Sequence, residues 1–254
     1  MNFLVALVAS GTLLASPSEV RVFAAASLQR VFTAAATQIG ASPQLSFNFA
    51  GSQQLALQLS QGAQADVFAS ADERWMVDAE KHDLLAAPAR VFARNKLVVI
   101  TPASNPGAVD RLDDLARPGV KVVLAADAVP AGRYSREVLT KLGSAGGLGD
   151  EYAAGVLANV VSQEENVEAV VAKVQLNEAD AGIVYVSDLS PERRTALRSL
   201  EIPAAANVTA EYYIAPLKSA ANPAGARAFL AWLSSETGQR LVVEQGFLAG
   251  EGGK

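Results

Sequence analysis

The fold is decided by EVRVFAAASLQRVFTAAATQI (Glu19–Ile39) and by two echoes of it, LSFNFAGSQQLALQLSQG (Leu45–Gly62) and DVFASADERWMVDA (Asp66–Ala79). EVRVFAA is a short run rich in β-formers that ends in small residues. After Ser27, the residues Leu28, Val31, Phe32, Ala35 and Ile39 recur at helical spacing, which predicts a helix over 28–39 with Ser27 as its N-cap. Leu45–Phe49 alternates as a strand, and Ala50-Gly51-Ser52 leads into a helix with Leu55, Ala56 and Leu59 on one face. Asp66–Ala69 reads as a third strand, and Ser70-Ala71-Asp72 opens a helix carrying Trp75, Met76 and Ala79. Repeated strand–turn–helix units imply an α/β chain built on parallel sheets.

Working outward, Asn95–Thr101 (NKLVVIT) is a strand followed by the Pro-rich loop PASNPG, a crossover into a second lobe. That lobe reads as strand Val120–Ala125, helix Tyr134–Leu142, helix Val167–Leu176 and strand Ala181–Val186, with the Gly-rich 143–149 as a loop. Glu211–Pro216 (EYYIAP) returns as a strand, and Asn222–Gln245 forms two terminal helices, with Pro223 at a natural helix start. The expected architecture is two lobes, 17–95 with 206–254 and 96–205, each a mainly parallel sheet flanked by helices, joined by a two-strand hinge with the ligand in the cleft between them.

Composition limits the functions available. The 254 residues carry a net charge of −5, and their 21 Lys and Arg form no basic run, so nucleic-acid capture and membrane-surface binding are not expected. Cysteine is absent and His82 is the single histidine, which removes thiol chemistry, disulfides and most zinc sites. His82 sits in EKHDLL at the polar end of a helix without a partner at ligand spacing, and no paired carboxylates mark a cleft. No catalytic residue, directly coordinated metal or cofactor is therefore expected. Met1–Ala15 (MNFLVALVASGTLLA) is apolar but shorter than the roughly 20 residues that span a bilayer. It reads as a secretory signal over 1–16, which makes the mature chain an exported, anchor-free periplasmic monomer rather than a membrane-embedded protein.

Ligands of open α/β sheets collect beyond the carboxyl ends of the strands, where helix starts offer unpaired N–H groups and a partial positive charge. Ser27, Ser52 and Val167 all lie at such starts. An acidic chain can thus hold an anion by local donors rather than by a basic field.

Six stretches then resemble, in order and spacing, the periplasmic molybdate-binding proteins of ABC importers: VFAAASL (Val22–Leu28), FAGSQQLALQL (Phe49–Leu59), ADVFASADERWM (Ala65–Met76), VPAGRY (Val129–Tyr134), EENV (Glu164–Val167) and AGIVYVSD (Ala181–Asp188). The resemblance implies an extracytoplasmic solute-binding protein with a type II-like two-lobed fold. Such a protein takes molybdate or tungstate through neutral donors and delivers it to a permease and its ATPase. It also implies the ligand set: the hydroxyls of Ser27 and Ser52, the backbone N–H groups of Ala131 and Val167, and the phenol of Tyr185. Where the family has consecutive serines this chain has Gly51 and Gln53 around Ser52, so Gln53 is a further candidate contact. Glu164 and Glu165, beside Val167, are expected to point away from the anion. Sulfate is the alternative ligand. Ferric ion, held by Tyr212 and Tyr213, is another, although neighbours on one strand face opposite ways.

Overall fold

In the computed structural model, residues 19–40 and 43–250 are described; the expected signal segment, 1–16, lies outside them. The chain runs β1 (Glu19–Ala25), α1 (Gln29–Ile39), β2 (Gln44–Ala50), α2 (Ser52–Ser60), β3 (Val67–Ser70), α3 (Glu73–Lys81) and β4 (Arg90–Pro102). There follow β5 (Val122–Ala125), α4 (Pro130–Ser144), α5 (Tyr152–Ala158), β6 (Val160–Glu164), α6 (Val167–Gln175), β7 (Ala181–Tyr185) and β8 (Leu197–Glu201). It ends with β9 (Thr209–Pro216), α7 (Pro223–Leu233), α8 (Glu236–Glu244) and β10 (Leu248–Ala249).

The strands form a curled mixed sheet in the order β2-β1-β3-β9-β4-β7-β5-β6, with β8 and β10 also paired to β4. Each half is built round a parallel trio. In the first half β1 lies between β2 and β3; in the second, β5 lies between β6 and β7. The remaining pairings of β4 and β9 are antiparallel. The parallel strands read as apolar runs because helices cover both faces: all four residues of β3 and of β5, and all five of β7, are buried.

β4 spans both halves. Residues 90–96 pair with β9, while 97–102 pair with β7 and β8. The chain returns through 202–208, where the Asn207 side chain accepts from Leu97 N–H at 3.1 Å and donates to Leu97 C=O at 2.8 Å. The two passages are therefore tied to each other at the place where the halves meet.

Several boundaries differ from the sequence reading, for identifiable reasons. β4 begins at Arg90 rather than Asn95: Arg90 is exposed at its start, and the half-buried Arg94 is paired with Glu211 at 2.9 Å. α4 starts at Pro130 rather than Tyr134: proline fits the first helical position, and Gly132 behind it is a packing requirement. α5, β6, β8 and β10 were not anticipated. β6 exposes alternate residues, β8 exposes Arg198, Ser199 and Glu201, and α5 is only two turns long. Gly143 and Ser144 belong to the end of α4, and the loop begins after them.

A Cβ at Gly132 would fall against the backbone of Ala125 and Ala126, with the Ala125 carbonyl carbon at 2.7 Å. Gly132→Ala is therefore expected to cost about 1–3 kcal/mol in urea unfolding, because backbone rather than a flexible side chain must yield. A wild-type unfolding midpoint would show that the start of α4 shifts freely.

Candidate functional site

The carboxyl ends of all six parallel strands converge on one small pocket. After β1 come Ala25, Ala26 and Ser27; after β2, Ala50, Gly51 and Ser52; after β3, Ala71. From the other half come Val129, Pro130 and Ala131 after β5, Asn166 and Val167 after β6, and Tyr185 at the end of β7. The pocket is narrow and lined by small residues, a shape suited to one compact group of atoms. All five expected ligand residues line it: Ser27, Ser52, Ala131, Val167 and Tyr185. None of the lining side chains is charged.

The starts of α2, α4 and α6, and the short 3₁₀ turn Ala26–Leu28 ahead of α1, all open on the pocket. The first N–H groups of a helix have no intrahelical acceptor. In α4 the first such bond runs from Arg133 N–H to Val129 C=O, so Ala131 N–H precedes it. In α6, Asn166 caps by accepting from Ala169 N–H at 3.0 Å, which leaves Val167 N–H ahead of the cap. The partial positive charge at each start adds to the donors.

The hydroxyls are arranged to the same effect. Ser52 Oγ accepts from Ala71 N–H at 3.2 Å, so its own proton is left to donate. Ser27 does not cap the helix after β1. It lies inside the 3₁₀ turn, and its Oγ meets the phenol of Tyr212 at 3.0 Å. With Tyr212 donating, Ser27 also keeps a proton for the pocket. The Tyr185 hydroxyl is buried and has no hydrogen-bond partner among the described residues. The Tyr185 ring packs edge-on against Tyr212 at 5.6 Å, and Tyr212 packs against Phe247 at 5.3 Å, which fixes where the phenol points. Burial above all, then the neighbouring phenol, holds Tyr185 well above the ordinary tyrosine range. Tyr212 is raised by burial and then by Asp188. Both phenols stay protonated, so each keeps an O–H that can donate.

Beneath Tyr185, the fully buried Asp188 accepts from Tyr185 N–H at 2.9 Å through Oδ2, while Oδ1 has no partner among the described residues. Burial raises it well above the usual carboxylate range, with Glu168 adding to the rise, against the N–H of Tyr185 and the charges of Arg193 and Arg30. The sequence reading missed Asp188 and Tyr212 as supports of the site. Strand alternation already places Tyr212 with Ala210 and Ile214 on the buried face.

Other candidates lie elsewhere. Gln53 does not line the pocket; its Nε2 donates to Glu165 C=O at 2.8 Å. Glu164 pairs with Lys173 at 2.9 Å, and neither it nor Glu165 faces the pocket. Tyr213 donates to Glu211 at 2.9 Å on the strand face opposite Tyr212, so the two phenols do not converge on an ion. His82 ends α3, exposed, against Asp78. Trp75 is half-buried in the core under α2 and α3, and its Nε1 reaches Ala128 C=O at 3.0 Å.

The arrangement can hold a small ligand that only accepts hydrogen bonds. A ligand bearing a proton would meet another donor, and a cation would meet the wrong end of every dipole.

The profile of the bacterial extracellular solute-binding protein family matches residues 20–248. The molybdate-binding protein of Mycobacterium tuberculosis is 42% identical over 229 residues, covering 89% of this chain and 83% of that protein. Among solved structures, the periplasmic molybdate-binding protein of Azotobacter vinelandii superposes with a TM-score of 0.77 at 22% identity, over 90% of this chain and 98% of that one. The sulfate-binding protein of Mycobacterium tuberculosis gives 0.79 at 16% identity, over 90% and 86%. At those identities the two structures establish the shared fold and no ligand.

An unsatisfied buried hydroxyl costs about 1–3 kcal/mol. Tyr185→Phe is therefore expected to leave the ligand-free protein as stable as wild type, or up to that much more stable, in urea unfolding. A clear loss of stability would mean that the hydroxyl has a partner in the protein.

Proposed function

The chain belongs to the bacterial extracellular solute-binding protein family, and on that premise we propose that it captures molybdate, or tungstate, outside the cytoplasm and delivers it to an ABC importer. The observation that carries this reading is the pocket of uncharged donors, with Tyr185 Oη buried and unpartnered in its wall and the Ser52 hydroxyl already loaded as an acceptor. Each donor to a full charge contributes about 1.5–3 kcal/mol, and several in a dry cleft together offset the loss of the anion's hydration. The ligand atoms are the hydroxyls of Ser27, Ser52 and Tyr185 and the N–H groups of Ala131 and Val167. Phosphate is disfavoured because at neutral pH it carries a proton for which this donor set has no acceptor. Sulfate is disfavoured by size, its shorter bonds leaving some donors out of reach. Molybdate and tungstate are nearly equal in size and charge, so both are assigned.

In this reading 17–95 with 206–254 is one lobe and 96–205 the other, and they hinge where β4 and the 202–208 return are tied through Asn207. The mature protein works as a periplasmic monomer after loss of a signal over 1–16, and its partners are a permease and an ATPase. No described helix is long and apolar enough to cross a membrane. The oxyanion is cargo, and no catalytic step is assigned.

A thermal-shift panel of molybdate, tungstate, sulfate, phosphate and ferric citrate tests the ligand. Molybdate and tungstate at 100-fold over Kd are expected to stabilise the fold by about 2.7 kcal/mol. A shift with sulfate or iron and none with molybdate or tungstate would sink the assignment. Calorimetry on Ser27→Ala, Ser52→Ala and Tyr185→Phe should show affinity falling by about tenfold to a hundredfold each. Unchanged affinity in all three would place the anion elsewhere.

A further inference from the structure

Gln53, which stands where the family has serine, and its neighbour Gln54 do not line the pocket, yet they bridge the two halves beside it. Gln53 Nε2 donates to Glu165 C=O at 2.8 Å, and Gln54 Nε2 donates to the Glu165 carboxylate at 2.8 Å. Gln54 is anchored at its other end, where its Oε1 accepts from Gly51 N–H at 3.1 Å. Its amide is thus fixed in orientation, with the NH₂ aimed across the cleft. Gly51 makes the approach possible: a Cβ there would collide with both the Gln53 amide and Glu165 C=O. Glu165 lies in the turn that leads into α6, two residues before Val167. Fixing it fixes the helix start that offers Val167 N–H.

The far side of the pocket is bridged as well. Trp75 Nε1 reaches Ala128 C=O at 3.0 Å, and buried Asp72, the N-cap of α3, pairs with Arg133 of α4 at 3.2 Å. Of those groups only Asp72 is buried. The glutamine pair stands half-buried at the start of α2, outside the apolar clusters, and its bonds to Glu165 are exposed.

We infer that Gln53, Gln54 and Glu165 form a clasp, made possible by Gly51, that holds the halves together over the bound anion and governs its rate of escape. They are positioning residues: they act on the anion through the start of α6 and not by touching it. The clasp also accounts for an acid so near an anion site, since the Glu165 carboxylate is occupied by Gln54 and directed across the lip instead of into the pocket. This inference rests on the reading of the pocket as an oxyanion site that opens and closes.

The experiment is stopped-flow dissociation of molybdate from the full-length protein, following tryptophan fluorescence. Wild type is compared with Gln53→Ala, Gln54→Ala, Glu165→Ala, Glu165→Gln and the Gln54→Ala/Glu165→Ala double variant. Each alanine variant is expected to raise koff about three- to tenfold, the range of one hydrogen bond at a partly exposed site, with kon within about twofold of wild type. The double variant should be no faster than the faster of its two parents, since both remove the same bond. Glu165→Gln, which keeps an acceptor oxygen, should recover part of the wild-type rate. The thermal midpoints of the ligand-free variants should match wild type. Wild-type koff in the variants, or multiplicative effects in the double variant, would overturn the clasp while leaving the oxyanion site standing. Failure of the wild-type protein to bind molybdate in calorimetry would overturn the oxyanion reading and the clasp with it.

Discussion

The structure depends on one constraint: hydrogen-bond donors must face a small closed space from both sides without an opposing charge. Parallel strands satisfy it because each one ends where the next helix begins. Two parallel trios, one in each half, bring their carboxyl ends to the same pocket. The first-turn N–H groups, which every helix leaves without partners, then point inward from opposite sides. A basic side chain would add charge but also flexibility and a site for any anion. Backbone and hydroxyl donors add geometry, so that size and protonation state decide what fits.

The polar groups around the pocket are arranged to keep those donors free. The Ser52 oxygen is taken up by Ala71 N–H, the Ser27 oxygen faces Tyr212, and Tyr185 is clamped by ring packing with its hydroxyl unpartnered. Burial keeps the phenols protonated. Asp188 holds the backbone of Tyr185 in place from below, with burial pushing its carboxyl towards the neutral form, which limits the negative charge under an anion site. The buried hydroxyl of Tyr185, without a partner among the described residues, thus stands in the pocket wall.

Much of this was legible in the sequence. The first three strand–helix units were readable because their apolar spacing is clean and each turn is made of small residues, as in Ala24–Ser27 and Ala50–Ser52. The five expected ligand residues do meet at one pocket. Helix-start chemistry pointed to Ser27, Ser52 and Val167, while Ala131 and Tyr185 came only with the family resemblance. What was not legible is long-range. Nothing local marks Tyr212 as the partner of Ser27, 185 positions away. Ser27 reads as a cap because serine ordinarily is one, and here the partner and the 3₁₀ turn displace that role. β6 and β8 were lost because they are short and only partly buried, without a clear apolar alternation. Gln53 read as a candidate ligand because it adjoins Ser52; its reach to Glu165 depends on the other half of the molecule being present.

The central claim is that uncharged donors from the two halves hold the anion. The most direct measurement is a crystal structure of the protein grown with molybdate, with anomalous diffraction recorded at the molybdenum absorption edge. A single strong peak is expected in the pocket, with oxygens at hydrogen-bonding distance from the hydroxyls of Ser27, Ser52 and Tyr185 and the N–H groups of Ala131 and Val167, and with no Lys or Arg in contact. A peak bound by basic side chains elsewhere, or an empty pocket at saturating molybdate, would contradict it.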